Sequence, residues 1–268
     1  MNQKATVIAL ANAKGGVGKT TSTFCIGAGL ARDSKRVLLI DLDPQGDLTK
    51  MCGIRNPNNV PDLVTIANAM NDLISFASSN GHPEIHHHPE GFDFVPANRL
   101  LSAIEVSLVN AMGREKILSQ YLEEIQSNYD YILIDCRPAL GLLVINALAA
   151  ADYVMIPVQA EYFSSEGIAD LVFNVKQVKR AINPKLEIMG AFITMVDKQT
   201  NFRTSMAKYV DEEVSKYIPV FQTAIPDRIK VAETSTANKS IFLHEPNGDA
   251  AEAYANLVKE VEDHGDKK

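Results

Sequence analysis

The glycine-rich run NAKGGVGKTT at residues 12–21 constrains the fold of this chain most strongly, because of what lies on either side of it. The apolar run TVIALAN at 6–12 leads directly into it, and the helix-like STFCIGAGLAR follows without a gap. A strand, a glycine-rich loop and a helix in this order predict a phosphate-binding loop at the carboxyl edge of a parallel sheet. The alternative, a glycine-rich turn that only connects two elements, fits Gly-Lys-Thr in this context poorly.

The rest of the chain alternates between short apolar runs and helix-like segments. The other strand-like runs are RVLLIDLD (36–43), DYILIDC (130–136), DYVMIPV (152–158), EIMGAFITM (187–195) and VFQTAIP (220–226). The helix-like segments are 18–32, 98–110, 113–127, 162–182, 201–216 and 249–262. Because the runs are nearly continuous in Val, Ile and Leu, both faces of each strand should be buried. The alternation predicts an α/β fold, a mostly parallel twisted sheet flanked by helices on both faces.

A length of 268 residues with 46% hydrophobic content suits one domain of this class, and we expect residues 1–268 to form it. The stretch at about 55–95 interrupts the alternation with a helix-like segment at 62–77, and we expect a surface excursion there. Residues 263–268 are polar, and we expect a frayed tail. No segment precedes the first strand, so we expect no N-terminal helix-turn-helix domain.

The composition also limits the class of protein. The sequence contains neither an apolar run of 18 residues nor a signal peptide, which favours a cytoplasmic protein. Cys25, Cys52 and Cys136 follow no C-x-x-C spacing, and we interpret them as packing residues in a helix, a loop and a strand end. A net charge of −7 argues against coating nucleic acid by bulk charge but leaves a local basic patch open.

Four histidines cluster in the segment GHPEIHHHPEG, namely His82, His86, His87 and His88. Imidazoles are common metal ligands, so a metal site is one interpretation of the cluster. The proline and glycine around it are typical of turns. We therefore interpret the segment as an exposed loop.

The glycine-rich loop carries the chemistry of a nucleotide site. Glycines at 15, 16 and 18 let successive backbone N–H groups point inward around phosphate oxygens, beside the positive end of the following helix. Lys19 is then expected to reach the β- and γ-phosphates, and the Thr20 hydroxyl to bind Mg²⁺. The pattern G-x-x-x-x-G-K-[ST] has Ala13 in place of its first glycine, and a second lysine, Lys14, follows.

Carboxylates stand at the ends of two predicted strands. The run YILID ends in Asp135, which suits the second metal-positioning element of a P-loop NTPase. The run RVLLIDLD ends in Asp41 and Asp43, and a carboxylate there can orient or deprotonate an attacking water. One of these two can instead be a helix cap or a turn former, and the sequence leaves open which.

Together these features resemble the ParA/Soj branch of the ParA/MinD ATPases, the P-loop NTPases with a deviant Walker A motif. The resemblance extends over nearly the whole chain, through AKGGVGKTT, VLLIDLDPQGDLT, FDFVPAN with EVSL after it, YDYILIDC, ITMVDKQTNFR, TAIPDRIKVAET and GDAAEAYANLVKEV. Agreement of so many segments in the same order is more specific than any single motif.

The resemblance implies ATP and Mg²⁺ as cofactors. The residues that it implies for ATP binding are Lys14, Gly15, Gly16, Val17, Gly18, Lys19, Thr20, Thr21, Pro226 and Asp227. In this set Thr21 lies near the α-phosphate, and Pro226 with Asp227 near the adenine. Thr20 is implied to hold Mg²⁺, with Asp43 and Asp135 acting through water.

The implied catalytic residues are Lys14, Lys19, Asp43 and Asp135. Asp43 positions the hydrolytic water, and Lys14 reaches the nucleotide of the partner subunit when two protomers enclose two ATP molecules. A lysine placed there in trans acts as an arginine finger does. The resemblance therefore implies an ATP-dependent homodimer.

One departure from the family is the sequence Cys136, Arg137, Pro138, where relatives commonly have two prolines after the Walker B aspartate and cysteine. Arg137 can contact the partner subunit, tune the adjoining loop or be a solvated surface arginine, and the sequence leaves these open. The departure bears on the rate of hydrolysis rather than on nucleotide binding.

The implied function is that of an ATP-hydrolysing DNA partition protein associated with the nucleoid. Its ATP-bound dimer binds DNA without sequence preference, and a ParB-like centromere-binding partner stimulates hydrolysis and release. The candidates for DNA contact are Lys198, Arg203, Lys208, Lys216, Arg228, Lys230 and Lys239. Their charge is nearly balanced by Asp211, Glu212, Glu213 and Glu233, so a merely solvated helix face is the alternative.

The runner-up function is that of a MinD-like ATPase that positions an assembly on a membrane surface. It needs a C-terminal amphipathic helix with a basic face. The segment VKEVEDHGDKK is acidic and has only Val258 and Val261 as apolar positions, so we expect no membrane partner. A metabolic ligase or an iron–sulfur reductase is less favoured, because the sequence reveals neither a second substrate pocket nor paired cysteines.

Overall fold

The computed structural model describes residues 4–75, 85–161, 166–197 and 201–265, except for the side chains of 166, 167 and 201–207. The strands in these residues are β1 (Thr6–Leu10), β2 (Val37–Leu42), β3 (His86–His87), β4 (Asp93–Val95), β5 (Tyr131–Cys136), β6 (Tyr153–Gln159) and β7 (Glu187–Thr194). The helices are α1 (Lys19–Arg32), α2 (Asp47–Met51), α3 (Ile66–Ser75), α4 (Leu100–Leu108), α5 (Ile117–Ile125), α6 (Leu142–Ala150), α7 (Glu166–Ala181), α8 (Asn201–Val214), α9 (Ile229–Ala237), α10 (Ile241–His244) and α11 (Asp249–Gly265).

The strands form one sheet in the order β3-β4-β2-β5-β1-β6-β7. Neighbouring strands are parallel except for β3, which is antiparallel to β4. The carboxyl ends of β1, β2 and β5 therefore meet at one edge, where Asp41 lies opposite Asp135 in the register. The mostly parallel sheet that the apolar runs predict is confirmed.

Alternate side chains of β1 show that helices cover both faces of the sheet. Val7 and Ala9 lie in a core shared with α3 to α8, whereas Ile8 and Leu10 lie in a core shared with α1, α2, α10 and α11. Each of the four is at most 2% exposed. Because successive side chains of a strand point to opposite faces, a strand with no polar position is what a sheet covered on both sides requires.

The run at 220–226 does not form a regular strand, contrary to the prediction. It meets the edge of the sheet through two isolated bridges, Ala191 with Val220 and Val196 with Pro226. The backbone N–H groups of Phe221 and Ile225 also donate to the carbonyls of Ala191 and Ile193, both at 2.8 Å. Between them, the backbone N–H groups of Gln222 and Thr223 donate to the carboxylate of Glu260 at 2.8 and 2.9 Å. At these two residues a side chain of α11, not β7, thus accepts the backbone hydrogen bonds, which interrupts a regular ladder.

Within residues 55–95, the described segments 65–70 and 92–95 are packed into the fold, whereas 58–62 are exposed, so the stretch is not a surface excursion throughout. Ile66 and Met70 of α3 are fully buried in the core. Residues 93–95 form β4, which pairs with β2 inside the sheet. The spacing of the apolar residues in α3 buries one face of that helix, which anchors the segment.

The histidine cluster is not an exposed loop either. The ring of His88 is 3% exposed and stacks on Phe92, with 4.4 Å between ring centroids. His87 is exposed, and its Nδ1 lies 2.8 Å from a carboxylate oxygen of Asp93. Aromatic packing and strand pairing therefore override the turn-like composition here. His82 lies outside the described residues.

The remaining local expectations concern the cysteines and the C-terminus. Cys25, Cys52 and Cys136 are buried and free, as packing residues should be. Helix α11 continues through Gly265, so residues 263–265 are helical rather than frayed. Val258 and Val261 are buried in the core beside α1. Among the helices of the described residues, none combines the length and the apolar character needed to cross a bilayer.

Candidate nucleotide-binding site

The glycine-rich loop lies between β1 and α1, as predicted. Gly16 and Gly18 have φ angles of 73° and 87°, in the left-handed region where other residues are strained. Lys19 begins α1, so the amino end of this helix, with its unpaired N–H groups, faces the loop. This arrangement suits an anion such as a phosphate.

A cavity of about 420 Å³ opens beside the loop. The residues predicted to bind ATP that line it are Gly15, Gly16, Gly18, Lys19, Thr20, Thr21, Pro226 and Asp227. Val17 lies outside the cavity, buried at 1% exposure, and its carbonyl accepts a hydrogen bond from the Thr194 hydroxyl at 3.0 Å. The fold thus brings the loop and the Pro226 segment to one cavity.

Sequence reasoning missed part of the cavity lining, including Asp47, Pro138, Met195 and Tyr254. Tyr254 of α11 is 1% exposed, and its hydroxyl lies 3.0 Å from that of Ser22 in α1. Met195 has a φ of 57°, which is uncommon for a residue with a side chain. No local pattern marks these residues, because packing between distant elements places them at the cavity.

Lys19 is 6% exposed, and its ammonium group donates to the carbonyl of Lys14 at 3.0 Å. Burial lowers the pKa of Lys19, while the negative charge of Asp135 is the largest of the effects that oppose this. A cation with so little water around it gains strongly from an anion delivered into the loop.

Asp135, at the end of β5, is 1% exposed and receives a hydrogen bond from Thr20. Its Oδ1 is buried without a hydrogen-bond partner in the described residues. Burial, together with the nearby charge of Asp41, raises the pKa of Asp135 well above its usual range. An unpaired buried carboxylate oxygen beside a hydroxyl fits a cation such as Mg²⁺.

The described residues contain no set of three His, Cys, Asp or Glu side chains arranged as a complete metal cage. Mg²⁺ commonly uses one or two carboxylates and completes its shell with water and substrate phosphates. The donor set of Thr20, Asp43 and Asp135 therefore fits Mg²⁺ that arrives with a nucleotide.

The two aspartates at the carboxyl end of β2 differ in role, which resolves the alternative left open by the sequence. Asp41 is 1% exposed and accepts hydrogen bonds from the Thr49 N–H at 2.9 Å and the Thr49 hydroxyl at 2.6 Å. Its other oxygen accepts from the N–H of Asp43 at 3.1 Å. Asp43 lines the cavity. Asp41 is thus the turn former, and burial raises its pKa to about 6.

Lys14 lies outside the cavity that its own loop forms. Its ammonium group is 2.6 Å from a carboxylate oxygen of Glu161, just after β6, and the two side chains are 42% and 54% exposed. The lysine is therefore at the surface and does not line the cavity of its own protomer.

Arg137 is not a solvated surface arginine. Its side chain is 29% exposed, and its guanidinium donates to the carboxylate of Glu105 in α4. The next residue, Pro138, lines the cavity. The loop after β5 is thus tied to α4 at one residue and contributes to the nucleotide cavity at the next.

Most of the described basic residues proposed for DNA contact are engaged with carboxylates. The ion pairs are Lys208 with Glu212, Lys216 with Glu213, Arg228 with Asp249 and Lys230 with Glu233. Lys239 is exposed. Lys198 and the side chain of Arg203 lie outside the described residues. These contacts favour a balanced, solvated surface over a strongly basic patch.

Comparison with known proteins identifies the family of this chain. The family model described as an AAA domain matches residues 5–188. The chain is 41% identical to the sporulation initiation inhibitor protein Soj of Bacillus subtilis (strain 168), over 97% of this chain and 99% of that protein. It is 38% identical to the chromosome partitioning protein ParA of Myxococcus xanthus (strain DK1622), over 95% of this chain and 87% of that protein.

A solved structure adds a ligand-bound relative. Cobyrinic acid a,c-diamide synthase from Mycobacterium smegmatis, with a bound ATP analogue and magnesium, matches with a TM-score of 0.82 and 31% identity, over 97% of this chain and 95% of that chain. The family model covers more than half of this chain, and the Soj and ParA relatives match nearly all of it. The chain therefore belongs to the AAA-domain family and, within it, to the ParA/Soj group of ParA/MinD-type P-loop ATPases.

Proposed function

We propose that this protein is a Mg²⁺-dependent ATPase whose ATP-bound dimer binds DNA without sequence preference and releases it after hydrolysis. The observation that carries the proposal is the position of Lys14. A loop lysine that lies outside its own cavity, at the surface, is available to the nucleotide of a second protomer. The names of the Soj and ParA relatives support a role in DNA partition.

The proposed binding step uses the groups that converge on the cavity. Backbone amides of Gly15, Gly16 and Gly18 surround the phosphates, and the buried ammonium of Lys19 pairs with the β- and γ-phosphate oxygens. Thr20, with Asp43 and Asp135, would hold Mg²⁺, which when bound neutralises charge on those phosphates. Pro226 and Asp227 border the base.

In the proposed hydrolytic step Asp43 orients the attacking water and accepts its proton. Lys14 of one protomer stabilises the negative charge that develops on the nucleotide of the other. To do so, Lys14 leaves Glu161. Hydrolysis and dimerisation are thereby linked through one side chain.

DNA binding and a ParB-like partner are the finer parts of this proposal, with the resemblance to ParA proteins as their support. The alternative of a MinD-like membrane ATPase requires a free apolar face at the C-terminus. The burial of Val258 and Val261 in the core argues against that alternative.

Two measurements test the proposal. Sedimentation velocity should show an ATP-dependent dimer for the wild type and none for Lys19→Ala. ATP turnover should rise with double-stranded DNA and not with anionic vesicles. Turnover that rises with vesicles alone would favour the membrane function, and an ATP-insensitive monomer would refute the dimer mechanism. The surface variant Lys35→Ala, which removes an ion pair with Glu262, is the control.

A further inference from the structure

The loop from Arg137 to Gly141, here called the β5–α6 loop, connects β5, which contains Asp135, to α6. It forms part of the nucleotide cavity. Pro138 lines the cavity, and its ring lies 4.0 Å from where a Cβ on Gly15 would be. Ala139 and Leu140 lie beside residues 11–13 of the phosphate-binding loop. The position of this loop therefore shapes the phosphate end of the site.

The β5–α6 loop has little to hold it in place. Its internal hydrogen bonds join the Ala139 N–H to the Arg137 carbonyl and the Gly141 N–H to the Ala139 carbonyl, both at 2.9 Å. Pro138, Ala139 and Leu140 are exposed. Within the part of the chain that the structure describes, one side-chain hydrogen bond ties the loop to another element, from Arg137 to Glu105.

Helix α4 provides the acceptor of that hydrogen bond. Its sequence is LLSAIEVSL, so Glu105 is the one charged residue among the nine that form the helix. Glu105 is 26% exposed, and its carboxylate pairs with Arg137 instead of facing solvent. A charged hydrogen bond that is about three-quarters shielded from water is stronger than a surface ion pair.

Gly141 leaves the space that the pair occupies. A Cβ on Gly141 would overlap Glu105 Oε1. The φ of Gly141 is −103°, which every residue tolerates, so the reason for glycine here is room and not backbone conformation. Three residues from two separate segments therefore fit one another around a single ion pair.

We propose that Arg137 and Glu105 are a positioning pair that fixes the β5–α6 loop at the phosphate end of the cavity and thereby sets the rate of ATP hydrolysis. The inference rests on the proposed ATPase function. Neither Arg137 nor Glu105 lines the nucleotide cavity, so the pair acts through Pro138 and the residues that flank Asp135. A small displacement of groups around a reacting phosphate costs rate while leaving binding by the glycine loop and Lys19 intact.

The experiment compares Arg137→Gln, Glu105→Gln and Gly141→Ala. The first two remove one charge of the ion pair, and the third places a Cβ where the Glu105 carboxylate lies. Each variant should lower the kcat for ATP hydrolysis about threefold to tenfold, because one charged hydrogen bond that positions the loop is lost. The KM for ATP should stay unchanged within about twofold. The charge-swapped double variant Glu105→Arg, Arg137→Glu should recover at least part of the loss. Hydrogen exchange of residues 137–141 should be faster in the single variants.

Glu115→Gln is the matched control, because Glu115 forms a partly exposed ion pair with Arg114 and neither residue lines the nucleotide cavity. It should leave kcat unchanged. Wild-type kcat in all three pair variants, or no recovery of kcat in the charge-swapped double variant, would overturn the positioning role while leaving the ATPase proposal intact. A wild-type protein that hydrolyses no ATP with or without DNA would instead overturn the proposed function.

Discussion

The ammonium group of Lys14 lies 2.6 Å from a carboxylate oxygen of Glu161, which is 147 residues further along the chain. Both side chains are about half exposed, so the pair stabilises the fold by about 0.5 kcal/mol at most. It can therefore break easily when a second protomer offers Lys14 a phosphate. Glu161 competes with that phosphate for the same ammonium group.

We therefore predict opposite effects for changes at the two residues. Lys14→Ala should bind ATP as a monomer but lose the ATP-dependent dimer. Glu161→Gln should form the dimer at a severalfold lower protein concentration, because a competitor of about 0.5 kcal/mol per protomer is removed. Sedimentation velocity at matched ATP and ADP concentrations measures both. A Lys14→Ala protein that dimerises like the wild type would contradict the proposed trans role.

Substitutions of the two aspartates at the carboxyl end of β2 should separate effects on stability from effects on catalysis. Asp41→Ala leaves the N–H and hydroxyl of Thr49 without their acceptor inside the protein, and should lower the free energy of unfolding by about 3 kcal/mol. Asp43→Ala should change it by less than about 0.5 kcal/mol and lower kcat roughly 100-fold. Urea unfolding and ATP turnover distinguish them. Equal destabilisation by both would show that Asp43 is structural as well.

Asp135 is a buried carboxylate near two other carboxylates, so its charge is unfavourable until a cation arrives. Asp135→Asn should raise the free energy of unfolding without ligand by about 1 kcal/mol. The same change should abolish the gain in ATP affinity that Mg²⁺ gives the wild type. Calorimetric titration with ATP, with and without EDTA, is the measurement. Unaltered Mg²⁺ dependence would argue against Asp135 as part of the metal site.

Acid should destabilise the protein through His88. Burial against Phe92 and Phe24 lowers the pKa of His88 from its ordinary value of 6.5. Below pH 6.5 the unfolded chain takes up the proton first, so stability present above that pH is lost as the pH falls toward the folded pKa. His88→Phe should flatten the fall in free energy of unfolding that begins below about pH 6.5. Parallel curves for variant and wild type would refute this assignment.

Local sequence was sufficient for the parts of the site whose chemistry lies within a few residues. The run AKGGVGKTT fixes a turn that only glycines can make and a lysine at the first position of a helix, and these stand where predicted. The carboxylates at the ends of β2 and β5 follow from the same reasoning, since parallel strands end at a common edge.

Other assignments failed where a distant partner outweighed the local pattern. Turn-like residues around His88 predicted a loop, but the ring packs on Phe92. The run at 220–226 has the composition of a strand, yet Glu260 binds the N–H groups of Gln222 and Thr223 and interrupts the pairing with β7. In each case a contact between separate segments supplied more free energy than the local preference did.

The sequence by itself determined the α/β class and the phosphate-binding loop, because apolar periodicity and glycine content act locally. Only the tertiary structure decided which aspartate turns the chain and which faces the cavity, why Arg137 differs from a surface arginine, and how Tyr254 joins the site. Those outcomes depend on which side chains meet across the sheet edge. The burial and the charges of the neighbouring side chains at that edge, and not a local sequence pattern, determine the role of each residue.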